Sequence, residues 1–138
     1  MWKYYAILSA VFAALTAIFV KMGVKSVDSN LATAIRTVII LIIVWGIVIL
    51  SNTLGGIKEL TRNNWIFLIL SGVATGLSWL FYFKALQMGE ASKVAPVDKL
   101  SVVFTILLSF LLLKEPVSYK VLLGGFLIAI GSIVILTD

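Results

Sequence analysis

The chain has no cysteine and no histidine. Thiolate and imidazole metal sites, a cysteine nucleophile and histidine acid–base chemistry are therefore excluded, and cysteine usage says nothing about redox compartment. There are two prolines and six acidic residues among 138, and charged residues make up 12%. No glycine-rich loop ending in Lys-Ser/Thr is present, which argues against nucleotide hydrolysis. No catalytic constellation, metal ligand set or cofactor motif can be assembled, so a membrane enzyme is the weakest of the functional readings.

What the chain does have is apolar surface. Hydrophobic residues make up 62% of it, against about 45–50% in soluble domains, and the mean hydropathy is +1.16. A soluble fold of this size has no interior large enough for so much Leu, Ile, Val and Phe. The bilayer supplies the missing apolar solvent. The net charge of +5 is carried by basic residues placed singly near helix ends, which suits lipid head groups rather than nucleic acid.

A helix crosses the hydrocarbon core with about 20 apolar residues. Five segments qualify, at about 4–22, 31–50, 65–87, 94–113 and 119–136. The expected fold is an all-α integral membrane protein, with residues 1–138 forming a single five-helix domain in a cell (inner or plasma) membrane. The first segment carries Lys3 and small residues, yet it is long and four more follow, so it is expected to remain as a span rather than leave as a signal peptide. The connections are short, which makes consecutive helices antiparallel and leaves no room for an extramembrane domain. Asp28, Ser29 and Asn30 read as a helix N-cap, Gly89 as a C-cap, and Ser92 as the start of the fourth helix. Residues 51–64, with Gly55 and Gly56, form the longest linker. Residues 114–118, containing Pro116, form a tight turn.

On the face that bears the N-terminus lie Lys3, Lys58, Arg62, Lys114 and Lys120. On the other lie Lys21, Lys25 and Lys93, with Arg36, Lys84 and Lys99 deeper in the helices near it. The positive-inside rule needs an asymmetry. This near balance permits insertion either way round, and a single orientation with a cytoplasmic N-terminus is equally open. Trp2, Tyr4, Tyr5, Trp65 and Tyr119 read as interface anchors on the N-terminal face.

Charged groups inside spans are costly and face a bundle interior or a cavity. Residues 37–50 alone reach about 21 Å at 1.5 Å per residue, so Arg36 lies in the hydrocarbon or snorkels from it. The same holds for Asp98 and Lys99. Counting from Asn30 and Ser92 puts Arg36 and Asp98 at a common depth of about 9 Å. Two readings stand: a fixed ion pair tethering the second and fourth helices, or a substrate or proton site. Proton coupling through Asp98 requires a desolvated carboxyl and fails if Arg36 holds it ionised.

Helical spacing puts Asp98, Ser101, Thr105 and Ser109 in one stripe, and Ser71, Thr75, Ser78 and Tyr82 in another. The stripes line a shared path or serve interhelical hydrogen bonding. Trp79 and Phe83, beside the second stripe, fill the bundle or pack a hydrophobic substrate. Lys84 is expected to snorkel away from the path. Gly72 and Gly76, Gly125 with Ala129, and Gly124 with Gly131 are close-packing signals within the chain or between copies. Pro96, two residues from Asp98, leaves a carbonyl without its donor, which is tolerated at a cavity or bend.

These residues carry a resemblance. Phe83-Lys84-Ala85-Leu86, Ala91-Ser92-Lys93-Val94-Ala95-Pro96, Lys114-Glu115-Pro116 and the run from Gly124 to Gly131 follow in order, preceded by Lys21-Met22-Gly23 and Ala34-Ile35-Arg36-Thr37. The pattern resembles an EamA domain of the drug/metabolite transporter superfamily, in its short five-helix bacterial and archaeal form. The resemblance implies a secondary transporter of small polar or amphipathic molecules. The usual two inverted domains, ten helices, would be rebuilt by an antiparallel homodimer with dual topology. The terminal glycines also resemble the dimer motif of the small multidrug-resistance transporters, but the first-helix glutamate those proteins use is missing, and Asp98 is the only acid within the spans that could replace it. The runner-up is a non-transporting membrane subunit that packs against another protein.

Overall fold

The computed structural model describes residues 1–138 and is entirely helical. Six α-helices run in order: α1 (Trp2–Gly23), α2 (Ser29–Leu50), α3 (Arg62–Met88), α4 (Ala91–Asp98), α5 (Leu100–Leu108) and α6 (Tyr119–Leu136). A short 3-10 helix, Leu54–Glu59, sits in the longest linker, and a π-helical turn, Ser109–Leu113, follows α5. The segment Ala91–Leu113 counts as one span, so five helical segments are long and apolar enough to cross a membrane. The expected all-α, five-span architecture is the one observed, and nearly all the large apolar side chains lie on its outside. Such a surface is stable only where the solvent is itself apolar.

The helix ends follow local chemistry. The Asp28 carboxylate accepts from the amides of Asn30 and Leu31 at 2.9 and 3.1 Å, capping α2 as expected. The Ser118 hydroxyl accepts from the Val121 amide at 3.3 Å and caps α6 after the Lys114–Ser118 turn. Lys114 takes a left-handed conformation there (φ 53°), and its amide bonds back to Ser109. One expected start moves: α4 begins at Ala91 with Glu90 at its N-cap, not at Ser92, because the Glu90 carbonyl already accepts from Lys93 and Val94. Gly89 follows α3, but no glycine in the chain has a positive φ, so it does not form the left-handed cap that glycine usually provides.

The chain divides into two compact units, Val20–Gln87 and the combination of Met1–Phe19 with Met88–Asp138. In the first, a small core forms where the α1–α2 loop meets the last turns of α3. Val24, Ser29, Phe83 and Leu86 are almost fully buried. Lys21 donates to the Leu86 carbonyl at 2.8 Å, and the Gln87 side chain donates to the Val24 and Val27 carbonyls at 3.3 and 2.9 Å. Loop carbonyls that would otherwise be stranded near hydrocarbon thus find donors.

In the second unit α4 and α5 pack along α6. Gly125 makes the close approach possible, since a Cβ built there would lie 2.7 Å from Cδ1 of Ile106. The fourth span is broken at Lys99, whose ψ of −6° interrupts the helix between α4 and α5. The Pro96 carbonyl accepts from the Lys99 amide at 3.0 Å and from the buried Ser132 hydroxyl on α6, also at 3.0 Å. The helix is thus interrupted three residues after Pro96, and a side chain from a neighbouring helix bonds to the Pro96 carbonyl.

Candidate functional site

Arg36 lies seven residues into α2, and Trp79 and Phe83 lie nine and five residues before the end of α3. Neighbouring ends of antiparallel helices put these positions at one level. The Arg36 guanidinium carbon is 4.7 Å from the Trp79 ring centroid and 5.2 Å from that of Phe83. The i, i+4 spacing of the two aromatics stacks them on one face of α3, which makes a platform for a planar cation. Phe83 is buried at 1% exposure while Arg36 and Trp79 are half-buried. Tyr82 touches the edge of the group: its ring centroid is 6.5 Å from that of Phe83, and it interacts electrostatically with Arg36. Trp79 and Phe83, which the sequence left open between filling and binding, both lie against the Arg36 guanidinium.

The remaining stripe positions of α3, Ser71, Thr75 and Ser78, are exposed, and the Thr75 hydroxyl donates to the Ser71 carbonyl of its own helix at 2.9 Å. Gly72 and Gly76 lie alongside, and a Cβ at either would meet no atom within 4 Å.

In the second unit Asp98 closes α4, half-buried, directly before the break. Its ion-pair partner there is the adjacent Lys99, at 3.4 Å. Ser101 and Thr105 are exposed on α5, where the Thr105 hydroxyl donates to the Ser101 carbonyl at 2.8 Å, and Ser109 opens the π turn. The π turn closes the span on the left-handed Lys114, a common form of helix C-terminus. Between α5 and α6 lies an apolar groove of about 530 Å³, bordered by Val103, Ile106, Phe110, Leu122 and Phe126. Gly124 and Gly131 have no atom within 4 Å of a built Cβ, unlike Gly125.

Two features escaped the sequence reading. Ser132 was hidden in the apolar run 121–136, where its only signal was being the one hydroxyl there. Gln87 was taken simply as the end of a span, although a terminal amide side chain beside a carbonyl-rich loop is a natural donor.

No solved structure matches the chain significantly. A Sinorhizobium sp protein described as an uncharacterized transporter in the cobO 3' region is 46% identical over 134 residues, covering 97% of this chain and 95% of the relative. The model of the EamA-like transporter family matches residues 1–137. With five apolar spans, a broken fourth helix and this match along almost its whole length, the chain belongs to the EamA-like transporter family.

Proposed function

We propose that the protein is a secondary transporter in the cell membrane, moving small polar or amphipathic metabolites or drugs by alternating access as an antiparallel homodimer. The observation that carries this reading is the discontinuity of the fourth span at Lys99, beside Asp98 and Pro96. Carriers commonly place substrate and coupling-ion sites where a transmembrane helix is broken, because the backbone groups freed there serve as ligands. We assign Arg36 and Asp98 to substrate or proton handling, and the hydroxyls of Ser71, Thr75, Ser78, Ser101, Thr105 and Ser109 to the substrate path.

The dimer rests on the odd number of spans, on the near balance of Lys and Arg between the two faces, and on the open glycines Gly72, Gly76, Gly124 and Gly131. An inverted second copy restores a ten-helix carrier. Asp98, the acid within the spans, is the proposed coupling carboxyl.

The test is uptake into proteoliposomes under an imposed proton gradient. Asp98→Asn is expected to abolish gradient-driven uptake while leaving counterflow exchange. Gradient-driven uptake that is unchanged in Asp98→Asn removes the coupling role. Cross-linking between equivalent residues that reports only parallel pairs removes the antiparallel dimer.

A further inference from the structure

The Arg36 guanidinium is held by two aromatic faces and has no anion within its own unit. The carboxylates of Val20–Gln87 are those of Asp28 and Glu59. Asp28 is engaged with the backbone at the start of α2, and Glu59 ends the 3-10 helix beyond the far end of α2. The contacts of Arg36 in this unit are the rings of Trp79 and Phe83 and the electrostatic influence of Tyr82.

Those contacts leave the charge without a counter-ion in its unit. An aromatic face compensates a cation only in part, and charged groups within a span ordinarily pair with an opposite charge or with backbone carbonyls. The geometry also says what is missing. Aromatic rings offer no conventional hydrogen-bond acceptor, while the guanidinium carries five N–H donors in one plane. Such a planar fork matches a two-oxygen anion, and that match is the reason arginine is used for carboxylate and phosphate.

We propose that Arg36, seated on Trp79 and Phe83, is an oxyanion receptor, and that it takes the carboxylate of a small organic acid with an apolar body. The inference rests on the transporter reading for its biological role but not for the binding itself. The same chemistry has a second source, the phosphate of a lipid head group. A depth of about 10 Å below the start of α2 favours a solute small enough to descend past the head groups.

The experiment uses the full chain in phosphatidylcholine nanodiscs, with Trp2, Trp45 and Trp65 replaced by Phe so that Trp79 is the only tryptophan reporter. Hexanoate is titrated, with hexylamine and hexanol as cationic and neutral controls, and calorimetry on the unaltered chain repeats the measurement. Hexanoate is expected to change Trp79 emission saturably while hexylamine and hexanol do not. Arg36→Gln should weaken hexanoate binding about 10- to 100-fold, the range for a lost charge-assisted pair. Arg36→Lys should recover part of the loss, since it keeps the charge without the fork. Thermal unfolding of each variant shows whether it is folded; if Arg36→Gln is not, the comparison of Arg36→Lys with the unaltered chain decides.

Equal responses to hexanoate and hexylamine overturn the proposal. So does a response that appears only when phosphatidylglycerol or phosphatidic acid is added, which assigns the site to a lipid head group. Hexanoate binding that appears only in Asp98→Asn also overturns it, because Asp98 would then be the resident anion. Hexanoate binding with no solute transported in any proteoliposome leaves the receptor standing and removes the transporter reading. Transport of amines that is indifferent to Arg36→Gln does the reverse.

Discussion

The Ser132 hydroxyl on α6 donates to the Pro96 carbonyl on α4 at 3.0 Å. The acceptor lies three residues before the break in the fourth span, so one hydrogen bond ties the interrupted helix to its neighbour. Ser132 is buried at 3% exposure. Its replacement by alanine leaves the Lys99 amide as the remaining partner of that carbonyl. Ser132→Ala should therefore lower stability by about 0.5–1.5 kcal/mol, measured by reversible unfolding in mixed micelles. No change would mean that this bond does not hold the interrupted helix.

Pro96→Ala returns an amide donor to the middle of α4 and removes the ring that disfavours a continuous helix. The variant is expected to be more stable, by about 1 kcal/mol, and slower in transport. Unfolding midpoints and initial uptake rates measured on the same preparations check both. Faster uptake with higher stability would remove the bend from the working cycle.

Gly125 allows a test of packing by size. The nearest atom to a new Cβ is the far end of the Ile106 side chain, which can swing aside. Gly125→Ala should be close to neutral, since the gain in helix propensity of about 1 kcal/mol offsets the adjustment. Gly125→Leu should cost about 1–3 kcal/mol by overpacking. Ile106→Ala in the same chain should recover part of that cost, and the non-additivity of the pair in a double-mutant cycle measures the contact.

Gln87→Leu removes the donor to Val24 and Val27 while keeping bulk at the end of α3. The loop of residues 24–28 should become the fastest-exchanging part of its unit, with a stability loss of about 1–3 kcal/mol for carbonyls left without partners. Amide hydrogen exchange reads the first effect directly.

The Lys93–Asp138 pair makes the opposite point. It is short, at 2.6 Å, but the side chains are 44% and 73% exposed. Lys93→Gln should change stability by less than about 0.5 kcal/mol. A larger loss in the same unfolding assay would mean that the last residue anchors α6.

The spans were legible because their signal is composition over some 20 residues, and nothing else in a chain this short produces it. The α2 cap was legible because Asp28 acts on amides two and three residues away. An irregularity near Pro96 was legible as a local backbone fact, but the bond from Ser132, 36 residues later, was not, because no local rule reaches it. Arg36 was legible as an expensive residue. Its platform was not, because Trp79 and Phe83 are apolar residues in an apolar span, and only the meeting of two helices separates a platform from filler. The π turn at Ser109 was invisible for a related reason: its sequence, Ser-Phe-Leu-Leu-Leu, fits an ordinary helix equally well.

The length of α3 has a consequence for how the membrane itself could tune the protein. Its 27 residues extend about 40 Å, some 10 Å more than a typical hydrocarbon core. The helix begins with Arg62, Asn63 and Asn64 and ends near Lys84 and Gln87, so the surplus is polar at both ends and belongs in the head-group layers. Trp79 then lies within two turns of the lipid–water boundary. A bilayer a few ångströms thicker would draw those ends inward and deepen Arg36, raising the cost of its charge while it is empty. A thinner one would bring it toward water. Membrane thickness thereby becomes a setting on how strongly the site seeks an anion.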